Sequence, residues 1–139
     1  KEGLSNVTYH LAGGEGVPPG PRFDLALTLD CMHDLPRPAD VIRAIRLSIR
    51  PDGYWIIKDI RSSHRLEENL ENPLAALFYG FSVLYCMSSS LSEPGGAGLG
   101  TMGFTPELAR EMTRAGGFTR FRKLDFDADP MNYFYEVRP

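Results

Sequence analysis

Asp30, His33 and Asp34 fall within five residues, directly after the apolar run Leu25 to Leu29. An imidazole titrates near working pH and can take a proton from a hydroxyl, so His33 is a candidate general base. The alternative is a histidine that caps a helix or tethers a loop. Asp34 could orient the ring, although adjacent residues seldom face each other and a solvated or capping carboxylate fits it better. One histidine with two carboxylates and no second histidine nearby makes a weak metal set, and no metal is expected.

Two glycine patterns suggest phosphate chemistry and fail on context. Gly14-Glu15-Gly16 follows a predicted strand, but Pro18-Pro19 bars the helix whose N-terminus would hold a phosphate. Gly98-Leu99-Gly100-Thr101-Met102-Gly103 matches GxGxxG, with Asp125 placed as a ribose-binding acid would be. The Ser-rich segment before it is no strand, and the next helix starts after the motif. An NAD(P)-binding oxidoreductase domain is therefore kept only as an alternative. Phe78, Tyr79, Phe81 and Tyr85 lie in one apolar stretch. They suit core packing or, for Phe78, Tyr79 and Tyr85, the wall of an apolar substrate pocket whose tyrosine hydroxyls need partners.

The elements that must position these residues follow from periodicity. Asn6 to Ala12 alternates as a strand does, with Val7, Tyr9 and Leu11 on one face. Gly13 to Arg22 holds four Gly and three Pro and is a loop. Asp24 to Asp30 and Tyr54 to Asp59 are strands. Between them, Val41, Ile42, Ile45 and Ile49 mark a helix over about 39–49, stopped by Pro51-Asp52-Gly53. Strand, helix, strand makes a βαβ unit with parallel strands. Pro73 to Met87 is too short to span a bilayer and predicts a buried helix, followed by a loop over 88–103. Thr105-Pro106 caps a helix over 106–115, with Leu108, Ala109, Met112 and Ala115 inward. Arg120 to Phe126 and Met131 to Val137 form an antiparallel hairpin around Asp127-Ala128-Asp129-Pro130. The fold class is α/β: parallel strands ending in an antiparallel hairpin, with helices on both faces.

Composition narrows the function. The chain has 139 residues, 42% of them hydrophobic, with a net charge of −3. This is one globular domain, and its charge argues against nucleic acid as the main partner. Cys31 and Cys86 have no CxxC spacing and fit a reducing, cytoplasmic setting. No stretch reads as a membrane span. Lys1-Glu2-Gly3 reads as a frayed helix end, as though the chain began inside something larger.

FDLALTLDCMHDLPRPADVIRAIRLSIRPDGYWIIKD, from Phe23 to Asp59, resembles the region after the fourth strand of class I S-adenosylmethionine-dependent methyltransferases. Met32-His33-Asp34 stands at the family's strand exit, Pro36-Arg37-Pro38 at its loop, and Arg50-Pro51-Asp52-Gly53 at the turn into its fifth strand. The segment Pro73 to Gly103 is similar to a subgroup of small-molecule methyltransferases that carry a winged-helix domain. The resemblance implies a Rossmann-like methyltransferase sheet of which this chain supplies the C-terminal portion, without the glycine-rich cofactor loop. It implies S-adenosyl-L-methionine as cofactor, with Ala12, Gly13 and Gly14 near the adenine and Thr28, Leu29 and Asp30 beside its amino-acid part. Gly13 stands where an Asp is common, which removes one side-chain contact. In plant-type members a His-Asp pair at the place of His33-Asp34 supplies the base.

The implied activity is methyl transfer to a small, largely apolar acceptor, with these 139 residues inactive alone. Strand Asn6 to Ala12 would lack its family neighbours, so it should re-pair, lose order, or drive a homodimer by strand exchange. A non-catalytic dimerisation module built on the aromatic helix is the remaining alternative.

Overall fold

The computed structural model describes residues 3–126 and 128–139. The predicted helix end at Lys1-Glu2 and the first residue of the hairpin turn, Asp127, lie outside the described residues. Strand β1 (Phe23–Leu29) runs parallel to β2 (Ile49–Ile60), with Leu27 opposite Ile56. Helix α1 (Pro38–Ser48) joins them and makes the expected βαβ unit. Strands β3 (Arg120–Leu124) and β4 (Asn132–Arg138) form the antiparallel hairpin, and β4 inserts between β2 and β3. The sheet order is β1-β2-β4-β3.

The alternation of β2 sorts the two faces of this sheet. Trp55, Ile57 and Asp59 are buried on one side, together with Tyr135 and Val137 of β4. Val41, Ile42 and Ile45 of α1 and Ala109 of helix α5 (Pro106–Ala115) close over them. Thr105 caps α5 by accepting from the Leu108 amide at 3.3 Å, and Pro106 takes the first helical turn. Thr113 is buried where Ala115 was expected, because its hydroxyl donates back to the Ala109 carbonyl at 2.8 Å and needs no other partner. The opposite face carries Leu25, Leu27 and Leu29, all exposed. Helices on both faces are thus met on one face by α1 and α5.

Two sequence expectations change. Asn6 to Ala12 is no strand: it has no ladder partner, and Val7, Tyr9 and Leu11 are exposed. Alternation alone cannot make a strand without a neighbour to bond. The apolar stretch is helical but not buried. Helices α3 (Ala75–Phe81) and α4 (Met87–Leu91) are joined through a π-helical turn, Ser82–Cys86, so the helix also takes up the first residues of the predicted 88–103 loop. Its buried stripe is Ala75, Phe78, Ser82, Cys86 and Ser90, while Leu77, Phe81, Val83, Leu84 and Tyr85 face outward. Four-residue steps drift by about 40° each on an α-helix, and the wider π-turn takes that drift back, holding the stripe on one side. Short helix α2 (Leu66–Leu70) precedes this segment. Among the described residues no helix is long and apolar enough to cross a membrane.

Candidate functional site

The chain leaves β1 through Asp30, the one described non-glycine residue with positive φ, at +51°. A left-handed Asp is tolerated where its side chain bonds locally. Here the Asp30 amide donates to the Lys58 carbonyl at 2.8 Å, and Lys58 Nζ meets Asp30 Oδ2 at 2.6 Å. That contact raises the Lys58 pKa. Asp30 Oδ1 is buried without a partner among the described residues. The sharp exit turns the next residues across the carboxyl end of the sheet, where Met32–Asp34 close a single 3-10 turn.

That turn sets His33 beside the end of β2. His33 Nδ1 lies 2.5 Å from Asp59 Oδ1, which also accepts from the Ile60 amide at 2.9 Å. Both side chains are almost completely buried. His33 Nε2 lies 3.3 Å from Asp34 Oδ1, and with Nδ1–H donating to Asp59 it is the ring position that gains or loses a proton. Burial pushes the His33 pKa down. The Asp59 hydrogen bond and the charges of Asp59, Asp34 and Asp30 outweigh it, so the net direction is up from 6.5. Among the described residues, Asp59 Oδ2 and the buried Tyr135 hydroxyl have no partner. The Tyr135 pKa is driven far upward by burial and then by the Asp59 charge.

Cys86, at the end of the π-turn, completes this cluster from a distant part of the chain. Its Sγ is 3.0 Å from Thr101 Oγ1. Burial first, and the Asp34 carboxylate next, raise its pKa. One ligand atom each from His33, Asp34 and Cys86 lies within 4.8 Å of the others. The arrangement can take a proton at Nε2, hold an imidazolium between two carboxylates, or share a cation.

The other predicted site residues scatter. Thr28 turns inward and accepts from Trp55 Nε1 at 3.0 Å, while Leu29 is exposed on the outer face. Ala12 and Gly13 are exposed. Gly14 opens the turn Gly14–Gly16 against α1, with Val41 so close that an added Cβ would meet it at 3.0 Å. Among the described residues no hydrogen bond joins these three to Thr28, Leu29 or Asp30. Phe78 is buried, Tyr79 accepts from Asn69 Nδ2 at 3.0 Å, and Tyr85 is exposed, so the three do not share a wall. Neither of two cavities, of about 610 and 640 Å³, is lined by them or by His33. The larger lies beyond the carboxyl end of β2, between Arg61, Asn69, Leu74 and Tyr133. The GxGxxG segment folds back on α4, where the Gly98 amide donates to Ser90 Oγ at 2.9 Å. Gly98 and Gly100 have φ of +58° and +78°, so their role is to turn the chain.

Sequence reasoning assigned no role to Asp59 or Cys86. The end of β2 was the available signal for Asp59. Nothing in the local sequence marks Cys86.

No family model and no curated protein matches the chain. Solved structures do. An O-methyltransferase candidate of Nostoc punctiforme superposes with a TM-score of 0.64 at 17% identity, over 90% of this chain and 34% of that one. Human N-acetylserotonin methyltransferase, in complex with SAM, gives 0.60 at 17% identity, over 91% and 32%. An O-methyltransferase family protein of Burkholderia thailandensis gives 0.59 at 15% identity, over 95% and 34%. The chain spans about a third of the length of each. It shares the fold of the C-terminal part of these methyltransferase structures.

Proposed function

We propose that these residues form the acceptor-side half of an S-adenosylmethionine-dependent methyltransferase acting on a small, largely apolar molecule. The carrying observation is the buried His33–Asp59 contact at the carboxyl end of the sheet. Ligands of open α/β sheets bind beyond those strand ends. The partnerless Asp30 Oδ1 at the same edge suits a cationic ligand such as an α-ammonium group. Asp30 would hold the amino-acid part of the cofactor, which supplies an electrophilic methyl carbon when bound.

The chain's own residues would then act on the acceptor. His33 Nε2 takes the acceptor's proton as that proton's oxygen or nitrogen becomes nucleophilic. Asp59 fixes the tautomer that leaves Nε2 bare and stabilises the imidazolium that results. Asp34 faces the same nitrogen and adds negative charge beside it. The remaining contribution is positioning.

Calorimetry with S-adenosylhomocysteine tests the reading on this chain and on one extended N-terminally by about a hundred residues, the other part of a typical domain. Binding by the longer chain alone supports it. Binding by neither overturns it.

The outward apolar side of the α3–α4 helix favours a further reading, a homodimer formed through that helix. Leu77, Phe81, Leu84 and Tyr85 stand at i, i+4, i+7 and i+8, one continuous stripe.

A further inference from the structure

The geometry points to a binding site for one thiophilic divalent cation, Zn²⁺ or Co²⁺, held by His33 Nε2, Asp34 Oδ1 and Cys86 Sγ. Two candidate ligand atoms, His33 Nε2 and Asp34 Oδ1, stand 3.3 Å apart here. In the neutral ring, with Nδ1–H donating to Asp59, Nε2 offers a lone pair that a metal can take. Asp34 Oδ1 is itself buried and has no hydrogen-bond partner among the described residues. A positive species between them, a proton on Nε2 or in its place a metal ion, satisfies both atoms.

The spacing suits a metal. Tetrahedral zinc with ordinary Zn–N, Zn–O and Zn–S lengths sets neighbouring ligand atoms about 3.3 to 3.6 Å apart. His33 and Asp34 already stand at 3.3 Å, and Cys86 lies within 4.8 Å of both. Nitrogen, sulfur and one carboxylate select a borderline-soft ion over Mg²⁺ or Ca²⁺. Asp59 supplies the outer support, since a ligating imidazole donates its other N–H to a carboxylate. Thr101 Oγ1, 3.0 Å from Cys86 Sγ, can donate to the thiolate. The charges close as well: one carboxylate and one thiolate neutralise the cation, and the Cys86 proton is released to solvent. Three protein ligands leave the fourth position open.

The site stands whether or not the chain transfers methyl groups. A cation on Nε2 occupies the lone pair that a base would use, so the metal-loaded state is closed to proton abstraction by His33.

Titrating the metal-stripped 139-residue chain with CoCl₂ under anaerobic conditions tests this directly. One equivalent should bind with intense visible bands and a near-ultraviolet thiolate-to-cobalt band. ZnCl₂ should displace it with no net proton change, whereas the first addition of either metal releases the Cys86 proton and any proton held on Nε2. Cys86→Ser should abolish the near-ultraviolet band, while Cys31→Ser keeps it. Asp59→Asn should weaken binding by about tenfold or more. Circular dichroism confirms that each variant is folded. Cobalt bound without a thiolate band, a band that survives Cys86→Ser, or no binding at micromolar metal would each overturn the proposal.

Discussion

His33 and Asp59, twenty-six residues apart, meet at 2.5 Å between Nδ1 and Oδ1 and are both almost fully buried. The contact links the exit of β1 to the end of β2, the pair of strands that are parallel neighbours. Removing the carboxylate leaves a buried N–H with no acceptor, which costs about 1–3 kcal/mol. Asp59→Ala should therefore lower stability in urea by about that amount. Asp59→Asn keeps an acceptor and should cost less. Both should lower the His33 pKa, read from its ring proton shifts by NMR. A His33 titration that stays in place in both variants would show that Asp59 does not set it.

Stability should depend on pH through the same residue. Its folded pKa is raised above the ordinary 6.5, so the folded state holds the proton more tightly than the unfolded chain. The stabilisation is fully present below about pH 6.5 and fades as pH rises through the higher folded value. Unfolding midpoints measured in chelator-treated buffer should fall over that window in the wild type. The fall should vanish in His33→Gln. A His33→Gln curve as steep as the wild type would assign the dependence elsewhere.

The βαβ unit, the capped helix α5 and the terminal hairpin were legible in the sequence because each carries its own local signal. Val41, Ile42 and Ile45 repeat at helical spacing, Thr105-Pro106 opens a helix chemically, and Tyr133 to Val137 continues the strand pattern. His33 and Asp34 were legible as a polar cluster after a strand. Asp59 was legible only as the end of a strand and Cys86 not at all, because the sheet register and the π-turn bring them there from 26 and 53 residues away. The α3–α4 helix misled for a different reason. Apolar content reports that a surface avoids water, and it does not say whether the chain's own core or another surface covers it. Ser82, Cys86 and Ser90 occupy the inner stripe instead because that stripe packs over the strand exit, where Ser90 Oγ reaches the Leu35 carbonyl at 3.3 Å.

The α5 cap gives a prediction independent of the site. Thr105 accepts from the Leu108 amide, and the helix it starts brings Ala109 and Met112 to the core. Thr105→Ala should cost about 1 kcal/mol and lower Tm by about 4 °C. Thr105→Asp, which retains an acceptor at the same place, should recover most of that loss. Equal losses in both variants would mean that the threonine acts through packing and not through the cap.

The two uncovered apolar surfaces separate by mutation. One is the helix stripe of Leu77, Phe81, Leu84 and Tyr85; the other is the row Leu25, Leu27 and Leu29 on edge strand β1. If the homodimer forms through the helix, Leu84→Glu places a charge in the middle of the contact, and burying an unpaired carboxylate there is strongly unfavourable. Sedimentation velocity across a concentration series should then show Leu84→Glu as a monomer where the wild type self-associates. Leu27→Lys should leave the association constant within about twofold, because a charge on a surface outside the contact shifts it little. The reverse outcome, dissociation by Leu27→Lys alone, would move the interface to β1 and make strand pairing at the sheet edge its basis. A wild type that remains monomeric at the highest concentrations would remove the helix as a dimer surface altogether.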